Sequence, residues 1–233
     1  MRLASRVVGG LKGRSEIGEE RADRIACGVG MSTTIREVAA DRRARLLAAF
    51  SKAAAEDGYA RLDIHTVARY AGVDVAAFDQ EFETKERALV AAQEIFLEGL
   101  WIEVLAAAEG PGEWAEKVRA ALSAALASLV ELGTVARVFT VEATAASFAA
   151  ADRQYVALEA FASLLREGRR RYPRADSLPF LTERLLVGGV ASIISAHLMA
   201  EDLAALPALE PELVETLLAP YLGESEARRI AAS

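Results

Sequence analysis

The sequence predicts an all-α protein with a three-helix N-terminal head joined to a larger helical C-terminal domain. Three observations lead to that class. After Thr34, apolar residues recur at three- and four-residue spacing through nearly every segment, which is the period of an amphipathic helix. Glycines, prolines and aspartates interrupt the pattern at helix-length intervals, where caps and breaks belong. Apolar alternation is short and alanine-rich throughout, a poor basis for strands.

Residues 1–33 mix Arg2, Arg6, Lys12 and Arg14 with scattered glycines and keep no period, so a flexible arm is expected there. Met31 offers a second start, and a basic arm of this kind can reach into a DNA minor groove. The head is expected over 34–83. In it Leu46, Leu47, Phe50, Ala53 and Ala54 mark a first helix ending near Asp57-Gly58, glycine suiting a left-handed cap. Asp63 caps a second, short helix with Ile64, Val67, Ala68 and Ala71 as its apolar stripe, and Gly72 breaks it. Asp74 caps a third, with Phe78 and Phe82 inward. Two short helices joined by a tight glycine turn and packed on a longer one make a helix-turn-helix.

The larger domain is expected over 84–223. Thr84 opens a long helix that runs to Gly110-Pro111-Gly112, and further helical patterns cover 113–132, 134–148, 150–171, 178–204 and 210–222. Pro173, Pro179, Pro207 and Pro211 fall at or near the ends of these segments. Residues 224–233 are left as a C-terminal tail.

Composition narrows the function classes. The 233 residues are 53% apolar and 26% charged, which excludes a wholly disordered or collagen-like chain. The longest charge-free apolar stretch, 185–196, falls well short of the about 20 residues that span a membrane. One cysteine, Cys27, and no secretory pattern at the N-terminus point to the cytoplasm. A net charge of −7 provides no general attraction to nucleic acid, so any DNA binding rests on a local basic surface.

The stretch 45–89 resembles the DNA-binding domain of TetR-family transcriptional regulators. The residues that carry the likeness are Gly58-Tyr59, Val67-Ala68, Ala71-Gly72-Val73, Phe78 and Phe82, then Thr84-Lys85-Glu86 and Leu89. Leu185-Leu186-Val187-Gly188-Gly189 and the segment from Leu217 to Gly223 resemble the last two helices of many members, so the likeness covers about 36–223. It implies a ligand-responsive homodimeric transcriptional regulator, a repressor, whose last two long helices pair and whose C-terminal domain takes a small, hydrophobic effector. The effector would shift the spacing of two heads on a palindromic operator in double-stranded DNA.

Several positions depart from the family pattern. Asp63 stands where members place a phosphate-contacting threonine, and Ala76, Ala77, Asp79 and Glu81 replace the glycine, threonine, tyrosine and histidine of the recognition helix. Glu83 adds another acid. A unit charge about 4 Å from a phosphate costs roughly 1 to 4 kcal/mol between water-like and surface-like dielectrics. Against this, Arg42, Arg43, Arg45, Arg61, His65, Arg69, Lys85 and Arg87 are available for phosphates, and an acid in the major groove accepts from cytosine N4. The expected DNA-binding residues are Arg42, Arg43, Arg45, His65, Asp74, Val75, Ala76, Ala77, Asp79, Gln80 and Lys85. The alternative is a TetR-like ligand-binding or protein-interaction module that has lost sequence-specific DNA binding.

In the larger domain Trp101, Phe139 and Tyr155, with Trp114 and Phe161, are candidate cavity residues. Glu142, set in a very apolar helix, needs a partner, and His197 is a candidate pocket polar group. Leu185, Leu186, Val190, Ile193, Ile194 and Leu198 make one helix apolar around too much of its circumference for a monomer surface, and Gly188, Gly189 and Ala191 permit close approach. Arg169, Arg170 and Arg171 suit a helix end. His65 and His197 are the only histidines and lie far apart in the chain, so no metal site is expected. Without a nucleophile–base pair, phosphate-cradling loop or nucleotide fingerprint, neither an enzyme nor a cofactor is expected.

Overall fold

The computed structural model describes residues 42–233, so the expected basic arm, the start at Met31 and Cys27 lie outside the described residues. Among those described there are ten helices and no strand. Helix α1 (Arg42–Asp57) buries Leu46, Leu47, Phe50, Ala53 and Ala54 along one face. Helix α2 (Ile64–Ala71) starts at Asp63, whose carboxylate accepts the His65 N–H, and ends at Gly72 in the left-handed conformation. Helix α3 (Val75–Phe82) starts at Asp74, which accepts the Ala77 N–H, and buries Ala77, Phe78 and Phe82. Each cap satisfies an amide that a first turn leaves unpaired.

The larger domain is built from α4 (Lys85–Ala108), α5 (Trp114–Leu132), α6 (Thr134–Ala146), α7 (Phe148–Arg166), α8 (Thr182–Met199), α9 (Leu206–Leu222) and α10 (Glu224–Ala231). Helix α6 widens into a π turn over Val138–Glu142. The head rests on this domain through α1, which packs on both α4 and the start of α6.

Four boundaries differ from the sequence expectation. The helix expected over 150–171 stops at Arg166 and continues as 3-10 turns over Glu167–Arg170 and Pro173–Ser177. A Cβ on Gly168 would come within 2.5 Å of the Trp114 ring and 2.9 Å of the Tyr221 ring, so the chain passes α5 and α9 at a point that only glycine fits. The segment expected over 178–204 is helical only from Thr182 to Met199, and Glu201 turns the chain at φ 57. Helix α9 begins at Leu206, with Pro207 in the first turn, where its missing amide costs nothing. The expected tail is mostly α10, whose Ala227 and Ile230 are buried.

One buried ion pair closes the C-terminal core. Glu183 is 1% exposed; it accepts from Arg169 Nε at 2.7 Å and Nη2 at 3.0 Å, and from the Tyr221 hydroxyl at 2.9 Å. Burial pushes its carboxyl upward, but the bonds from Arg169, its own backbone amide and Tyr221, with the Arg169 charge, outweigh that and hold it below the ordinary carboxylate range. Arg169 also donates to the carbonyls of Leu178 and Pro179, so it clamps the turn into α8 as well as ending a helix. Among the described residues no single helix is long and apolar enough to cross a membrane.

Candidate nucleic-acid interface and ligand cavity

The outer face of the head is set by the residues of α3 that stay unburied. Ala77, Phe78 and Phe82 face inward, and Ala76, Asp79, Gln80 and Glu83 are exposed, with Val75 half-buried. His65 is exposed in the first turn of α2, and Asp74 is occupied as the α3 cap. The arginines at the start of α1 are engaged by α3: Arg42 donates twice to Glu81 Oε1, and Arg43 donates to the Glu81 carbonyl at 3.2 Å and lies over the Phe82 ring. Arg45 reaches the Ala71 carbonyl at 3.4 Å. Lys85 donates to the Leu62 carbonyl at 2.9 Å and sits 4.5 Å from the Tyr59 ring. Burial lowers its pKa, with Asp63 offsetting part of the effect. Sequence reasoning missed the Glu81–Arg42 pairing because the partners lie 39 residues apart.

Between α4, α5, α7 and α8, closed by Thr140 of α6 and Leu217 of α9, lies a cavity of about 130 Å³. Its walls are Leu100, Leu122, Phe161, Val190, Ile194 and similar side chains, with Ala121, Ala125, Ala157 and Ala191 leaving the space. Its polar residues are Thr140, Gln154 and Ser195, and none of its residues is charged.

The residues nominated from sequence sit around this cavity rather than on its wall. Trp101 packs edge-on against Phe161, 5.2 Å between centroids, and Phe161 does line the space. Phe139 is buried against Phe96 at 5.6 Å. Tyr155 is half-exposed, and His197 faces Asp202 at 3.7 Å. Glu142 has two partners: Oε2 accepts the Tyr59 N–H at 2.7 Å and Oε1 accepts from Arg137 at 2.6 Å. Gly58, at φ 76, lets the head come this close, since a Cβ there would lie 3.3 Å from Glu142 Oε2. An apolar cavity among the middle helices was expected; its wall differs in that aliphatic side chains and Phe161, rather than Trp101, Phe139 and Tyr155, make it.

The π turn joins the two regions. Thr140 touches the cavity and Glu142, two residues on, holds the head. The Phe139 carbonyl is taken by Nε2 of Gln93, a fully buried residue of α4. Single π turns of this kind recur at functional sites in helices.

On the far side, α8 turns Leu185, Ile193 and Met199 outward, with Leu181 just before it also exposed, while Val190, Ile194 and Leu198 belong to the chain's own core. A groove of about 340 Å³ runs between α8 and α9 beside Leu185, Gly189, Ile193 and Leu213. Among the described residues no three His, Cys, Asp or Glu side chains come together to hold a metal ion.

Neither a family model nor a curated protein matches the chain in sequence. Solved structures do match, TetR-family transcription regulators among them. The chain has the TetR-regulator fold. The fatty acid degradation regulator FadR from Bacillus halodurans is 17% identical, with 77% of this chain and 97% of that one covered at a TM-score of 0.62. RolR in complex with resorcinol is 19% identical, covering 86% and 96% at 0.61. The superantigen PfiT is also similar, 19% identical over 76% and 95% at 0.57, so this TetR-like fold is shared by proteins with different roles.

Proposed function

We propose that the protein is a ligand-responsive homodimeric DNA-binding transcription regulator that acts as a repressor. The observation that carries the reading is α6: one helix both walls an apolar cavity, through Thr140, and holds the head, through the Glu142–Tyr59 bond. A ligand that fills the cavity displaces the π turn and with it the anchor of the head, which is how differential binding at one site changes another. Neighbours such as FadR and RolR support the same reading, and the resorcinol held by RolR is the kind of small effector an apolar cavity takes. The outward residues of α8, with the groove toward α9, supply the pairing face for a second copy.

The alternative, a module of this fold that does not read DNA, is favoured by one observation: Glu81 occupies Arg42 and Arg43 while Asp79 and Glu83 are exposed. Selection of bound fragments from genomic DNA with the purified protein separates the two. A regulator enriches a palindromic sequence; the module enriches none.

A further inference from the structure

We propose that the exposed face of α3 reads a C·G pair with Asp79 and the neighbouring A·T pair with Gln80, so that an acid of the head selects sequence as well as opposing phosphate. This rests on the reading of the head as a DNA reader and adds the bases it selects.

The face is set by helical period. Ala76, Asp79, Gln80 and Glu83 are the exposed residues of α3 and its C-cap, and steps of three, one and three residues place them on a single stripe. Ala77, Phe78 and Phe82 are buried on the opposite side. Most polar side chains of this segment are already engaged. Asp74 accepts the Ala77 N–H at 2.8 Å, half-buried Glu81 holds Arg42, and Glu83 pairs with Arg87 at 2.8 Å. Among the described residues the side chains of Asp79 and Gln80 take no hydrogen bond or ion pair. They are the two polar groups that the stripe leaves for a base.

Their chemistry chooses the base. In a helix-turn-helix the second of the two short helices enters the major groove and meets base edges with its first turns. A carboxylate has acceptors only, and a primary amide has both a donor and an acceptor. Cytosine shows an N4 amine in the groove, which Asp79 accepts; adenine sets its N6 amine beside the N7 acceptor, which repels a carboxylate and matches the amide of Gln80. Ala76, one turn nearer the helix start, brings a methyl group suited to thymine. Consecutive Cα atoms are about 3.8 Å apart and base pairs on one strand about 3.4 Å, so Asp79 and Gln80 fall on neighbouring pairs. Where no cytosine meets Asp79, its charge stays unpaired in a negative groove, and that sequence is rejected.

The test exchanges amide and carboxylate without changing shape. Wild-type protein, Asp79→Asn and Gln80→Glu, each full-length, select bound sequences from a random duplex library, and fluorescence anisotropy then compares the selected duplexes. The wild-type half-site should contain a C·G pair next to an A·T pair. Asp79→Asn should change that C·G pair to A·T, Gln80→Glu should change the A·T pair to C·G, and every other position should stay. Each variant should bind its own duplex at least about fivefold more tightly than the wild-type duplex. Both residues are exposed, and thermal melts check that the variants fold; if one does not, the other decides alone. A wild-type sequence that neither variant alters, or one without the neighbouring C·G and A·T pairs, overturns the base assignment and leaves the DNA reader standing. If the wild-type protein enriches no sequence at all, the DNA reader falls together with its code.

Discussion

Changing Glu81 to Gln tests whether the head is a DNA reader held in check by its own carboxylate. Glu81 Oε1 accepts from Arg42 Nε at 3.0 Å and from Nη2 as well, and Arg43 lies 3.9 Å from Oε2. The two arginines are nearly half exposed, at 45% and 47%, and Glu81 is at 21%. Exposed pairs of this sort are worth about 0.2–1 kcal/mol each, and Gln keeps an oxygen for Arg42, so the variant should lose less than about 1 kcal/mol of stability. DNA binding should change more. With Glu81 about 6 Å from a phosphate and an effective dielectric of about 40, the repulsion is about 1.4 kcal/mol per head, which screening at 0.1 M salt cuts to about 0.8. Two heads then make about 1.6 kcal/mol, or roughly fifteenfold in affinity.

The assay is fluorescence anisotropy on selected and random duplexes at 50 and 150 mM salt, with Asp79→Asn beside Glu81→Gln. Both variants remove one carboxylate charge, but only Glu81→Gln also weakens the hold on Arg42, since Arg43 keeps its bond to the Glu81 backbone carbonyl. Each arginine that reaches a phosphate steepens the salt dependence by about 0.9, so Glu81→Gln should gain up to about one unit of slope per head, from Arg42, while Asp79→Asn gains none. Identical slopes for the two variants would refute the latch, and unchanged affinity in both would refute the electrostatic argument for the head as a whole.

Three other perturbations have defined outcomes. Glu142→Ala removes the side chain that ties α6 to the Tyr59 amide; the cavity should bind its ligand as before, while the ligand's effect on DNA affinity, measured by anisotropy, falls at least about threefold. Glu183→Gln leaves Arg169 without its charge partner and should cost about 3 kcal/mol at neutral pH by urea melts, the low end for a broken buried pair because Arg169 keeps 25% exposure. Since the Glu183 carboxyl is held below its usual range, its contribution is complete above the unfolded value of about 4.3 and is lost as pH falls through the folded one, so the difference from wild type should shrink in acid; a gap that widens there reverses the sign. Leu185→Asp places a charge in the middle of the outward face of α8, where Leu185 is 71% exposed, and light scattering should then drop from near twice 24.9 kDa to near 24.9 kDa.

The head was legible in the sequence because its determinants are local. Asp63, Asp74 and Thr84 each cap the next helix in the chain, and Gly72 takes the left-handed turn at φ 68. Each signal and its consequence lie within a turn of one another. The hidden part is long-range. Glu81 meets Arg42 across 39 residues, Glu142 meets Tyr59 across 83, and Glu183 meets Tyr221 across 38, and no period in the chain records such pairings. Glu142 stood out as a carboxylate that needed a partner, and it has two, Arg137 of its own helix and a backbone amide of the head. Helix α10 was legible and overlooked: Glu224 and Glu226 open it, Arg228 and Arg229 close it, the charge order a helix dipole favours.

The long-range pairings also bear on how the head and the cavity would communicate under the proposed function. Lys85 holds the loop before α2, Glu142 holds the same loop at Tyr59, and Glu81 holds the start of α1, so the head is tied down by three charged side chains from three different elements. Lys85 and Glu142 both belong to helices that wall the cavity, but Lys85 lies twelve residues from Leu97, the nearest lining residue of α4, whereas Glu142 lies two residues from Thr140. Its helix is widened by a π turn whose freed Phe139 carbonyl is taken by Gln93 of α4. A π turn converts to regular helix by losing one residue of register, which rotates the rest of the helix by about 100°. Thr140 lies inside that turn and Glu142 at its end, so a ligand pressing on Thr140 from within the cavity would act on the segment of α6 that departs from regular α register. Under the proposed function, a head anchored through Glu142 would respond to the cavity by this short route, while the anchors at Lys85 and Glu81 would hold the helix-turn-helix together.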